Sequence, residues 1–140
     1  MVHASSAGFS GGNFAKITIN DTPVNFKDTT KDQRGLHIAV INPSDFKVST
    51  CQIFDTYKSS SDFEAFTKNV IPDGYIVVAA CKDECTQNLS ERGRRWFQSM
   101  GSVAIKDLEY RCGFAFIGVV GDRSPHEKRS EDPGAPVSVT

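Results

Sequence analysis

The sequence predicts an α+β domain, and three observations carry that expectation. Two short apolar runs rich in β-branched residues, 75–80 and 113–120, are too short for buried helices and have the character of strands covered on both faces. A turn, Asn42-Pro43-Ser44-Asp45, separates two further strand-like segments, 36–41 and 46–54, which are expected to pair antiparallel. Only two stretches show helical spacing of apolar residues, one after Ser61 and one before Gly101.

In chain order, residues 1–13 are Gly, Ser and Ala with little to bury and read as a flexible tail. Gly8-Phe9-Ser10-Gly11-Gly12 fits the G-x-S-x-G pattern of a hydrolase nucleophile elbow, but that elbow needs a strand before it and a helix after it. Here the match reads as coincidence. Residues 14–19 alternate apolar and polar as a strand, turned by residues 20–23 into Val24-Asn25-Phe26. Polar residues fill 27–33, and Arg34-Gly35 leads into the strand at 36–41.

Ser61-Asp62-Phe63-Glu64 has the capping-box arrangement of a helix start. Phe63, Phe66 and Val70 share one face, expected to pack on the sheet until Pro72 ends the helix. Pro72-Asp73-Gly74 then turns the chain into the run at 75–80, after which Lys82, Asp83 and Glu84 place three charges at the end of a buried strand. Leu89, Trp96, Phe97 and Met100 share helical spacing, with Gly101 as the stop and Trp96 a core residue. Ile105 and Leu108 mark a short helical turn or a packed loop, 113–120 is the last central strand, and Val137–Val139 is at most a short edge strand.

Composition narrows the function classes. With 140 residues and 39% hydrophobic content, the chain reads as one domain, 14–121, carrying a polar C-terminal extension over 122–140. Net charge is −1 and only Arg92, Arg94 and Arg95 cluster, so nucleic acid is not expected as a partner. No stretch approaches the roughly 18 apolar residues of a membrane span, so membrane insertion is not expected, and the first residues lack the apolar core of a signal peptide. His3, His37 and His126 are far apart, Cys81 and Cys85 lack the C-x-x-C spacing of zinc or redox sites, and Gly118-Val119-Val120-Gly121 is not a phosphate loop. Adjacent Asp83 and Glu84 cannot flank a glycosidic bond from opposite faces. The expectation is a protein without enzymatic activity, metal or cofactor. Asn20-Asp21-Thr22 and Asn88-Leu89-Ser90 are glycosylation sequons, and with four cysteines they favour an extracellular setting.

Arg34-Gly35-Leu36, Phe54-Asp55-Thr56-Tyr57, Ile71-Pro72-Asp73-Gly74, Lys82-Asp83-Glu84, Asn88-Leu89-Ser90, Ser99-Met100-Gly101-Ser102, Tyr110-Arg111 and Phe114-Ala115-Phe116-Ile117-Gly118 occur in order across the domain. This series resembles the interleukin-like EMT inducer and pancreatic-derived factor (ILEI/PANDER) domain family. The resemblance implies two packed antiparallel β-sheets lined by short helices. The family includes secreted cytokine-like proteins and the stem domain of protein O-mannose β-1,2-N-acetylglucosaminyltransferase, a non-catalytic module that binds β-linked N-acetylglucosamine. The sugar-contacting arginine, aspartate and second arginine of that stem domain match Arg34, Asp83 and Arg111. The chain departs from the family pattern at Cys112 and Phe114, where an Asp and a Trp are usual. Cys85 and Cys112 lie beside the two site segments, and the expected disulfide joins them, leaving Cys51 and Cys81 as buried thiols.

Chemically, vicinal sugar hydroxyls suit a carboxylate on one side and a guanidinium fork on the other, which Asp83 and Arg111 supply. Arg34 completes the set, Tyr110 offers an aromatic face, and Glu84 either contacts the ligand or orients Arg111. Without the resemblance, the favoured reading is structural, with Asp83 and Arg111 forming an ion pair at the sheet edge or Asp83 capping the following helix. The expected function is metal-independent lectin activity toward terminal β-linked N-acetylglucosamine or a galactose-containing disaccharide such as N-acetyllactosamine. Glycans of glycoproteins or cell surfaces are the partners, and a homo-oligomer would supply avidity. The alternative is a secreted cytokine-like ligand for a protein receptor.

Overall fold

A computed structural model describes residues 1–27 and 30–140. Residues 28 and 29, inside the polar stretch 27–33, lie outside the described residues. The described chain is mixed α/β, with nine strands and two short α-helices. The strands are β1 (Val2–Gly8), β2 (Phe14–Ile19), β3 (Thr22–Pro23), β4 (Gly35–Ile41), β5 (Val48–Phe54), β6 (Ile76–Asp83), β7 (Phe114–Val119), β8 (His126–Arg129) and β9 (Val137–Val139). The helices are α1 (Ser61–Thr67) and α2 (Glu91–Ser99). No helix among the described residues is long and apolar enough to cross a membrane.

The centre is β6. It pairs antiparallel with β4 on one edge and with β7 on the other, as its apolar run requires. Alternate residues then bury opposite faces. Leu36, Ile38, Val40, Val77, Ala79, Phe114 and Phe116 face the helices, where Phe63 and Phe97 fill the core. Ala39, Ile41, Val78, Ala80 and Ala115 face the other way, onto Ala4, Ile17 and Val139. Trp96 packs edge-on to Phe63 and Phe66, as a core residue. Each buried Phe or Leu contributes about 1.5–3 kcal/mol.

The expected pair of separate sheets is replaced by one nine-stranded sheet. The join is made by β1, which pairs antiparallel with β2 and β9 and then bonds the end of β6 in parallel, Ala7 opposite Lys82 and Gly8 opposite Asp83.

This corrects the flexible tail expected over 1–13. Val2–Gly8 is an internal strand because its small side chains let the chain lie close against β6 and β7. Ser6 is fully buried there, its hydroxyl donating to the Cys81 carbonyl and accepting from the Phe114 amide. Residues 122–140 are likewise part of the fold: β8 extends β7, β9 extends β1, and the Ser130 hydroxyl accepts from the Gly113 amide at 2.7 Å. Glu127 accepts from the Val103 and Ala104 amides and so holds the 3-10 turn Ala104–Asp107.

Smaller differences have local causes. The two-residue turn Asn20-Asp21 takes left-handed backbone at both positions, which closes the β2–β3 hairpin before Val24, so β3 is two residues and 24–26 is not a strand. Phe46 is left-handed and belongs to the turn, so β5 starts at Val48. The capping box at Ser61 does not form; Ser60 precedes α1 without a side-chain cap bond, and the Ser61 amide instead donates to the Ser59 hydroxyl. Because α1 ends at Thr67, Val70 is 95% exposed rather than packed on the sheet. Gly8-Phe9-Ser10-Gly11-Gly12 closes the hairpin from β1 to β2; the element that follows is a strand, so it is no nucleophile elbow.

Candidate functional site

The charged residues at the end of β6 are positioned by sheet register. Gly35 lies opposite Lys82, so Arg34 enters the sheet beside the end of β6. Gly8 lies opposite Asp83 on the other side, and the Phe9 amide donates to the Asp83 carbonyl at 3.0 Å. Gly8 in turn touches the Arg111 backbone: a Cβ added there would stand 1.7 Å from the Arg111 carbonyl oxygen, so only glycine fits. Arg34, Asp83 and Arg111, from three distant parts of the chain, therefore lie along one end of the sheet.

Asp83 and Arg111 both adopt left-handed backbone, with φ of 67° and 61°. For non-glycine residues this is an uncommon conformation, held here by the surrounding bonds. Glu84 provides several of them. It is 1% exposed, and its carboxylate accepts from the Thr86 amide (2.8 Å) and hydroxyl (2.5 Å), the Gln87 amide (2.9 Å) and the Arg111 amide (3.3 Å). Glu84 is thus closed off from any ligand and acts by holding the Arg111 backbone.

The Arg111 guanidinium is flanked by two rings, Phe9 at 4.4 Å and Tyr110 at 5.1 Å from its central carbon. Both rings are well exposed, Phe9 at 51% and Tyr110 at 44%. The Arg111 Nε is buried and has no hydrogen-bond partner among the described residues. No ion pair joins Asp83 to Arg111 among the described residues, and α2 is capped by Ser90, so neither purely structural role foreseen for Asp83 is realised.

Arg34 is differently committed. Its Nε and one terminal nitrogen donate to the two Asp55 oxygens at 2.9 and 2.8 Å, and its central carbon lies 4.3 Å from the Tyr57 ring centre. The Asp55 bonds raise the guanidinium pKa above its ordinary value; burial opposes this, and the charges of Asp55 and Asp83 add to it. The bidentate pair uses two of the five guanidinium N–H groups, leaving the rest for other acceptors. Asp55 and Tyr57 had a signal in the run Phe54-Asp55-Thr56-Tyr57, which assigned them no role. Phe9 lies in residues 1–13, where Gly, Ser and Ala give no periodicity that would place it at the site.

The expected Cys85–Cys112 disulfide is not formed. Cys85 is bonded to Cys81, with Cα atoms 6.1 Å apart, while Cys112 is a buried thiol and Cys51 a half-buried one. The left-handed turn at Asp83 folds the chain back after β6, which brings a residue four positions on within bonding reach. The disulfide consequently braces the very turn that carries Asp83 and Glu84.

The fold and this cluster define a small mixed α/β module that presents charged and aromatic side chains at one end of its sheet. The chain belongs to the interleukin-like EMT inducer family, whose model matches residues 34–122. It is similar to the human cell migration-inducing and hyaluronan-binding protein, 32% identical over 101 residues that make up 71% of this chain and 7% of that protein. It is also similar to mouse protein FAM3A, 29% identical over 71% of this chain and 44% of the relative, and to human protein FAM3B, 25% identical over 87% and 54%. The chain spans about half the length, or much less, of these curated relatives.

Proposed function

We propose that this protein is a metal-independent, non-catalytic carbohydrate-binding module that works outside the cell on glycans of glycoproteins or cell surfaces. The observation that carries the reading is Arg111, whose guanidinium lies against two exposed rings, with an Nε unpartnered among the described residues, beside the Asp83 turn. A pyranose stacks its C–H face on an exposed ring and offers hydroxyls to Asp83 and Arg111. The remaining N–H groups of Arg34 complete the set. Terminal β-linked N-acetylglucosamine or N-acetyllactosamine is the proposed ligand. One relative's name states that it binds hyaluronan, itself a polysaccharide, which supports a saccharide ligand. The disulfide supports an oxidising compartment. A one-sugar site of this kind binds near millimolar, about 4 kcal/mol, and homo-oligomerisation supplies the rest.

The test is a glycan array with wild type and Asp83→Asn. Asn keeps the shape and tolerates left-handed backbone better than Ala, so the variant removes charge without disturbing the turn. Loss of the N-acetylglucosamine signal is the expected result; an array that is silent for wild type, or unchanged in the variant, sinks the proposal. The second reading, a cytokine-like ligand for a protein receptor, is favoured by the family's description as interleukin-like. A silent array together with saturable, sugar-independent binding to cells would select it.

A further inference from the structure

Among the described residues the outermost strands are β3, β5, β8 and β9, and three of these are very short or charged. β3 is two residues and contains Pro23, β9 is three residues, and β8 is His126-Glu127-Lys128-Arg129, charged along its length. β5 is different. It is seven residues, Val-Ser-Thr-Cys-Gln-Ile-Phe, with no charge and no proline; among the described residues it pairs with β4 alone, and a register shift at Ser49 leaves residues 50–54 as its regular stretch. Among the described residues no strand pairs with its outer edge, and such an edge offers backbone donors and acceptors of the kind that other chains pair with.

A groove of about 820 Å³ lies along that edge. Its floor includes the consecutive residues 51–55, whose side chains alternate between the two faces of the sheet, so what they share toward the groove is the backbone edge. The rims carry charge. Among the described lining residues, Lys27, Lys31, Arg34 and Lys58 face Asp55 and Asp62, and Asp55 is already paired with Arg34. Lys27, Lys31 and Lys58 are exposed and have no ion-pair partner among the described residues.

From this edge and its rims we infer that the groove receives an extended, acidic segment of a partner protein, which adds to the sheet as a strand beside β5. Main-chain hydrogen bonds along the edge supply affinity, and the lysines select for Asp or Glu in the segment. A second copy of this chain is the wrong occupant, because β5 against β5 would bring two cationic rims together. The groove shares Arg34 with the saccharide site but uses neither Asp83 nor Arg111, so the two can be tested separately.

The experiment pans a phage-displayed library of random peptides against the full chain, then maps the winning peptide by amide chemical shifts. Acidic, proline-poor peptides should be enriched, with shifts concentrated in Val48–Phe54 and binding weakened by salt. The double variant Lys31→Glu, Lys58→Glu should lose roughly tenfold in affinity. Asp83→Asn should leave it unchanged, so failure here and failure of the lectin reading are separable. No enrichment, enriched peptides without acidic residues, or shifts elsewhere would overturn the inference. So would concentration-dependent shifts of β5 without peptide, which would make the second copy the occupant.

Discussion

Replacing Glu84 tests whether one buried carboxylate holds the end of the sheet together. In Glu84→Ala four hydrogen bonds disappear, from the Thr86 amide and hydroxyl, the Gln87 amide and the Arg111 amide. Gln87 is exposed, so its amide turns to water at little cost; Thr86 and Arg111 are half-buried and their amides do not. Two amides left without acceptors cost about 1–3 kcal/mol each, and removing a buried charge returns part of that. The net loss is about 3 kcal/mol, a large share of a typical stability of roughly 5–15 kcal/mol, or roughly 10 °C in Tm. Glu84→Gln keeps one acceptor oxygen but sets its amide nitrogen against a backbone N–H, and should cost about half as much. Urea unfolding followed by circular dichroism reads both variants, and the midpoint should shift while the slope stays constant. A Glu84→Ala protein within about 1 kcal/mol of wild type would refute the reasoning.

Peptide mapping under non-reducing conditions should recover Cys81 joined to Cys85; in the native state alkylation should reach half-buried Cys51, and it should reach Cys112 only after unfolding. Removing the bridge as Cys81→Ser, Cys85→Ser should cost about 2 kcal/mol, since the closed loop is short. His37 is 2% exposed and donates from Nε2 to the Gln33 carbonyl at 2.7 Å. Burial lowers its pKa, Lys82 adds to the lowering, and the bond to Gln33 opposes it. The unfolded chain therefore binds this proton more readily than the folded one, so the contribution of His37 is fully present above about pH 6.5 and is lost as pH falls through the lowered folded value. The stability difference between wild type and His37→Gln, measured by urea unfolding across that range, should narrow on acidification. A constant difference would remove His37 from the account.

The parts of the fold that were legible share one property, which is that their signal is local. Residues 75–80 and 113–120 announce central strands because both faces are buried, 36–41 reads as a strongly apolar strand, and Asn42-Pro43-Ser44-Asp45 fixes the antiparallel pairing of β4 with β5. The helix before Gly101 is likewise written in the spacing of Leu89, Trp96, Phe97 and Met100. Arg34, Asp83, Tyr110 and Arg111 could be singled out because motif order survives in sequence. β1 could not: Ala-Ser-Ser-Ala carries no strand periodicity, and it is a strand only because β2, β6 and β9 are there to pair with it.

Sequence alone determined the central strands, the two helices and the identities of the charged residues, since each depends on neighbours a few positions away. Tertiary structure decided the rest: that the N-terminal segment joins both halves of the strands into one sheet, that Cys85 bonds to Cys81 rather than Cys112, and that Glu84 faces inward to hold Arg111. Those outcomes rest on the left-handed turn at Asp83 and on partners distant along the chain, and no local pattern records which distant atoms will satisfy a strand edge, a thiol or a buried carboxylate.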